Sequence, residues 1–116
     1  MIYRPDSYSI LLHKPSGDIK VFAGWYGGYT TGDSWKLSSG TVSIEEDIST
    51  GAWKFLQYSG SCYMLSNKQG KQGKHTMYLL SILDNMLNAG VGLEEITLQE
   101  AIDLLKDKQG ELRVSN

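Results

Sequence analysis

The sequence predicts an α+β domain: an antiparallel sheet of five to six strands over about residues 7–66, followed by two C-terminal helices over about 76–89 and 98–109. Two observations carry this. The chain changes character near residue 75, being rich in Gly, Ser, Thr, Tyr and Trp before it and in Leu, Ile, Glu and Asp after it. Strands in one block and helices in the next point to α+β rather than to alternating β-α-β units. The second observation is periodicity. Thr41-Val42-Ser43-Ile44-Glu45 alternates with period two, as a half-buried strand does, whereas Leu79, Ile82, Leu83 and Met86 recur at helical spacing.

The elements follow in order. A first strand over Tyr8–Lys14 ends in the turn Pro15-Ser16-Gly17-Asp18, where proline presets φ and glycine tolerates positive φ. A second strand, Ile19–Trp25, pairs back as a hairpin. Gly24, Gly27, Gly28 and Gly32 interrupt a regular ladder, so residues 26–33 read as a loop or bulged strand. Trp35–Leu37 is a short strand and Ser38-Ser39-Gly40 a tight turn. Strands over 41–45 and 53–58 follow, the latter with Trp53, Phe55 and Gln57 on one face. A last strand covers 61–65. Residues 67–74, Asn-Lys-Gln-Gly-Lys-Gln-Gly-Lys, form a polar loop. The first helix takes Leu79, Ile82, Leu83 and Met86 as its buried stripe, widened by Leu80 and Leu87, and Gly90 suits a left-handed position after its end. The second helix opens with Thr97-Leu98-Gln99-Glu100, a capping box, buries Leu98, Ala101, Ile102 and Leu105, and ends at Gly110. Both helices are expected to cover one face of the sheet.

Bulk numbers narrow the function classes. A chain of 116 residues is the size of one domain, 1–116, and its 41% hydrophobic and 21% charged content is that of a globular protein. A net charge of -2 gives no general pull toward nucleic acid or an anionic membrane. The single cysteine, Cys62, cannot form an internal disulfide, which points to a reducing, cytoplasmic setting. The first residues, Met1-Ile2-Tyr3-Arg4-Pro5-Asp6, lack the basic start and apolar run of a secretory signal. The apolar stretch from Met77 to Leu87 is too short to span a bilayer.

No catalytic motif stands out. Gly70-Lys71-Gln72-Gly73-Lys74-His75-Thr76 comes near a phosphate-binding loop, but G-x-x-x-x-G-K-[ST] would need glycine where Lys68 stands and Ser or Thr where His75 stands. Cys62 lies in an apolar strand without a basic neighbour, as a buried structural thiol does. Ser59-Gly60-Ser61 lacks the G-x-S-x-G pattern of a nucleophile elbow. Neither His13, His75 and Cys62 nor the acids Glu45, Glu46 and Asp47 have metal-ligand spacing, and no cofactor is implied.

Two segments are candidates for binding. The first is the aromatic and glycine run Phe22–Trp35. Its rings can stack on planar groups or anchor a partner, and its glycines allow close approach. Trp25, Tyr26 and Tyr29 are the binding residues assigned there. Trp35 and Trp53 are expected in the core, and Tyr26 and Tyr29 on the surface. The second is the loop with Lys68, Lys71 and Lys74 just before a helix. No Asp or Glu lies between Asp47 and Asp84. Lysines and free N–H groups at a helix start favour an anion. Either segment also reads as ordinary structure: rings as core and lysines as solvated surface.

At Trp35-Lys-Leu-Ser-Ser-Gly40, then Ile44-Glu-Glu-Asp47, then Tyr58-Ser-Gly-Ser61 and Tyr63, the chain resembles small proteins of tailed phages and prophages that carry no assigned chemistry. That resemblance implies a bacterial host cytosol and an accessory role, such as blocking a host protein or sequestering a small signal. The expectation is therefore a non-enzymatic binding protein, an inhibitor of a host protein, including a defence component, by direct contact. The alternative is a pocket that sequesters an anionic, nucleotide-like small molecule; a small hydrolase or transferase ranks last. Membrane and nucleic-acid partners are not expected, and self-association into a homodimer is open.

Overall fold

The structure, a computed structural model, describes residues 1–27, 32–66 and 72–114, and the side chains of all of these except 109–114. Among the described residues there are eight strands and two helices: β1 (Ile2–Tyr3), β2 (Ser7–His13), β3 (Asp18–Trp25), β4 (Ser34–Leu37), β5 (Thr41–Asp47), β6 (Ala52–Gln57), β7 (Cys62–Leu65), α1 (Met77–Leu87), β8 (Leu93–Ile96) and α2 (Leu98–Val114). The α+β class is as expected. The single sheet is not: the strands form two four-stranded sheets, β1-β7-β6-β5 (sheet A) and β4-β3-β2-β8 (sheet B). Nor is the pairing wholly antiparallel, since β1 lies parallel to β7.

The sheets part at Ser38-Ser39-Gly40, which turns a corner between layers instead of closing a hairpin. Buried polar groups hold that corner. The Val21 N–H donates to Ser38 Oγ at 2.8 Å, and the Gly40 N–H to Gln57 Oε1 at 3.1 Å. Gln57 Nε2 donates to Thr41 Oγ1 and to the Phe55 carbonyl, both at 3.0 Å. Gln57 is buried, so each of its bonds replaces water it has lost. Gly40 has φ 135°, and a Cβ there would meet the Tyr58 ring at 2.9 Å, so glycine is needed at the bend.

Between the sheets lies the main core. Tyr8, Ile10, Ile19, Val21, Ala23 and Ile96 of sheet B meet Ile44, Phe55, Tyr63 and Leu65 of sheet A, and Leu98, Ala101, Ile102 and Leu105 of α2 complete it. A second, smaller core lies on the other face of sheet B, where Leu79 and Leu83 of α1 pack on Leu11 and Phe22. The helices therefore lie on opposite sides of sheet B and do not share one face. This is why β2 is buried from Ser7 to Leu11: it is covered on both sides.

Two strands escaped the sequence reading. β1 has only two residues, and β8 is the Leu-Glu-Glu-Ile segment between the helices; it pairs with β2 from Ile10↔Ile96 to His13↔Leu93. Gly24 does not break the ladder: it pairs with both Ser7 and Trp35. A Cβ at Gly24 would stand 2.7 Å from Leu79 Cδ1 and 2.8 Å from Ser7 Oγ, so its missing side chain lets α1 approach the sheet.

The capping box is present. Glu100 N–H donates to Thr97 Oγ1 at 3.0 Å, and Thr97 N–H donates to Glu100 Oε1 at 3.1 Å. Replacing Thr97 by Ala is expected to lower unfolding free energy by about 1 kcal/mol, measured by urea titration; an unchanged midpoint would show that the cap is dispensable. The helix itself runs past Gly110 to Val114 instead of ending there. No helix among the described residues is long and apolar enough to cross a membrane.

Candidate functional site

The segment just before α1 is tied to β2. The Gly73 N–H donates to the Tyr8 carbonyl at 2.7 Å, and Gln72 bridges Tyr8 in parallel register beyond the point where β8 leaves β2. The Gln72 amide also grips the β8–α2 junction, donating to the Ile96 carbonyl at 3.2 Å and accepting from the Leu98 N–H at 3.4 Å.

His75 follows. Its Nδ1 is 2.8 Å from Ser7 Oγ and its Nε2 2.8 Å from Ser9 Oγ, and its ring meets Phe22 edge-on at 5.2 Å. Ser7 and Ser9 alternate along β2, so both hydroxyls point to the α1 side of the sheet. A histidine beside two serines is a grouping that nucleophilic catalysis uses. Both serines, however, are fully buried, and a substrate cannot reach them. The trio is a structural clasp.

Burial lowers the His75 pKa below its ordinary 6.5, opposed by the Glu95 carboxylate. The unfolded chain thus takes up a proton more readily than the folded one. The clasp's contribution is full above about pH 6.5 and is lost as pH falls from there toward the folded value. Urea titrations of the wild type and of His75→Leu from pH 7.5 to 5.5 are expected to show a steeper loss in the wild type; equal slopes would remove His75 from the acid response.

α1 begins at Thr76, whose hydroxyl accepts from the Leu79 N–H at 3.4 Å and donates to Asp33 Oδ2 at 2.5 Å. Asp33 also accepts from the Gly27 N–H at 3.3 Å. A carboxylate therefore already stands at the positive end of α1, where a bound anion would otherwise sit.

The two candidate segments meet here: the Tyr26 hydroxyl donates to the Lys74 carbonyl. Tyr26 is 48% exposed, as expected. Lys74 is exposed as well. Tyr29, Lys68 and Lys71 lie outside the described residues. Trp25 faces the opposite way, into the joint between the sheets. Its ring meets Tyr3 edge-on at 5.9 Å, Tyr3 stacks on Tyr63 at 5.0 Å, and the Trp25 indole N–H donates to the Arg4 carbonyl at 3.1 Å.

The core assignment of Trp35 is corrected. It stands on edge strand β4, stacked on Phe22 at 5.8 Å with its other face outward, and is 39% exposed. Trp53 lies half-buried at the margin of the main core, under the Lys106 ammonium at 5.2 Å. Cys62 is buried as expected, and that burial pushes its thiol pKa up, away from a reactive thiolate.

One surface was missed from sequence. Among the exposed Ser81, Asp84 and Asn85 of α1 stand large apolar side chains: Met77 is 88% exposed, Tyr78 is exposed, and Leu80, expected to widen the buried stripe, is exposed instead. The helix Met-Tyr-Leu-Leu-Ser-Ile-Leu-Asp-Asn-Met-Leu holds one charged residue, Asp84. That composition was the available signal, because large apolar residues beyond the buried stripe of a helix expect cover of their own. Trp35 stands beside this helix on Phe22, which α1 covers, so β4 and α1 present large apolar side chains on one face.

Comparison with family models, with curated proteins and with solved structures finds no match for the chain.

Proposed function

We propose that the chain is a non-enzymatic binding protein that acts by direct contact with a protein partner through the face formed by α1 and β4. The observation that carries this reading is the outward apolar surface of α1, Met77, Tyr78 and Leu80, flanked by Trp35 and Tyr26. Large exposed apolar patches mark interaction sites, and Trp and Tyr are frequent anchors at protein interfaces. Lys74 lies at the rim beside Tyr26. In the phage setting that the resemblance implies, the partner is a host protein, a defence component among the candidates.

One observation weighs against a nucleotide-like ligand at the start of α1. Asp33 holds the anion position of α1.

The test starts from candidate partners recovered on the immobilised chain and purified. Their affinity is then measured for wild type and for Trp35→Ala combined with Tyr78→Ala, with the fold checked by circular dichroism. Loss of tenfold or more in the folded variant is expected. Undiminished binding by every candidate would end the reading. A raised melting temperature with a nucleotide panel, about 4 kcal/mol of stabilisation at a thousandfold excess over Kd, would favour the pocket alternative. Light scattering reports whether a second copy is itself the partner.

A further inference from the structure

A cleft of about 160 Å³ opens where the β1–β2 connection, the β5–β6 turn and the end of β7 meet. Arg4 and Pro5 come from the first, Thr50 and Ala52 from the second, Met64 and Ser66 from the third. Tyr8 lines it as well, and its hydroxyl is already used, donating to the Ser66 carbonyl at 2.9 Å. Burial lifts that phenol to a pKa of about 12, so it stays neutral.

Among the described residues the Arg4 guanidinium has neither an ion-pair nor a hydrogen-bond partner, although the Arg4 carbonyl is anchored by the Trp25 indole. The acid on the neighbouring turn, Asp47, is committed elsewhere: Ser49 Oγ donates to it at 2.7 Å, and Ser49 and Thr50 hold its carboxyl below the usual range. Beside Arg4, the residues Pro5, Ala52 and Met64 give the cleft an apolar wall.

We propose that this cleft binds the carboxylate of a small apolar acid, such as a peptide C-terminus or a free short-chain acid presents, with Arg4 as the anion-binding residue. A guanidinium offers parallel N–H donors at the spacing of carboxylate oxygens. Its apolar neighbours suit a short carbon chain. The volume corresponds to about five waters at roughly 30 Å³ each, enough for a propionate or alanine-sized group and too little for a nucleotide. A single cation in a largely apolar wall matches a monoanion. The site is separate from the α1–β4 face and does not depend on the reading of that face.

The experiment titrates the ¹⁵N-labelled full chain at pH 7 with N-acetyl-alanine, its amide, and propionate, following the amide signals of Ala52, Met64 and Ser66. N-acetyl-alanine is expected to shift these signals saturably, with a Kd on the order of 1 mM for so small a ligand. The amide is expected to bind at least tenfold more weakly, and Arg4→Gln to weaken the acid by tenfold or more, because a charge-assisted bond is lost. Arg4 is exposed, so the variant's spectrum should otherwise match the wild type; should it not, the acid-against-amide comparison on the wild-type chain decides alone. N-acetyl-alanine binding severalfold tighter than propionate would identify a peptide C-terminus, and equal binding a free acid. Equal binding of acid and amide, unaltered binding in a folded Arg4→Gln, or no saturable shift would overturn the proposal.

Discussion

Replacing Leu83 by Ala is expected to cost about 2–5 kcal/mol of unfolding free energy. Leu83 is buried in the smaller core with Leu11, Phe22 and Leu79. Truncation leaves a hole on one side of sheet B that only a shift of α1 can close. That shift is resisted at the helix start, where Thr76 is tied to Asp33 and His75 to β2. Urea titration gives the value. A loss under about 1 kcal/mol would mean that α1 buries a different face. A fall in the slope together with the midpoint would show that the helix layer melts before the two-sheet body.

His75→Leu is expected to cost about 3 kcal/mol. The change keeps a side chain of similar size but removes both hydrogen-bond partners of Ser7 and Ser9, whose hydroxyls are fully buried. Each orphaned buried group costs roughly 1–3 kcal/mol. The control is the triple variant Ser7→Ala, Ser9→Ala, His75→Leu. Removing all partners at once leaves nothing unsatisfied, so much of the stability is expected to return. If His75→Leu alone stays within about 0.5 kcal/mol of the wild type, the range of an ordinary surface change, the serines have found other partners and the clasp is not a stabilising element. If the triple variant is no more stable than the single one, the effect arises from packing on Phe22 instead.

Much of the fold was legible because it is local. The hairpin of β2 and β3 follows from Pro15-Ser16-Gly17-Asp18, and the pairing His13↔Asp18 closes on that turn. Thr97 and Glu100 sit three residues apart, and their reciprocal bonds need nothing beyond that spacing. The buried faces of both helices were readable from the recurrence of Leu79 with Leu83, and of Leu98 with Ala101, Ile102 and Leu105. Of the site, the outward position of Tyr26 was readable from its glycine neighbours.

The rest required distant parts of the chain to meet. Ser38-Ser39-Gly40 has the composition of a hairpin turn, and only its capture by Val21 and Gln57 makes it the corner between two sheets. Ser7 and Ser9 look like solvent-facing positions of an alternating strand; they are buried because His75, more than sixty residues away, covers them. Trp35 has a core composition but lies on an edge strand, so one face of its ring is left outward. The cleft beside Arg4 is likewise a property of three segments brought together. Sequence alone determined the class, most of the strands, both helices and their inner faces, since periodicity and capping act within a few residues. Tertiary structure alone decided the number of sheets, the side on which each helix lies, and which aromatic and charged groups face outward, since burial belongs to a position in the packed molecule and not to a residue type.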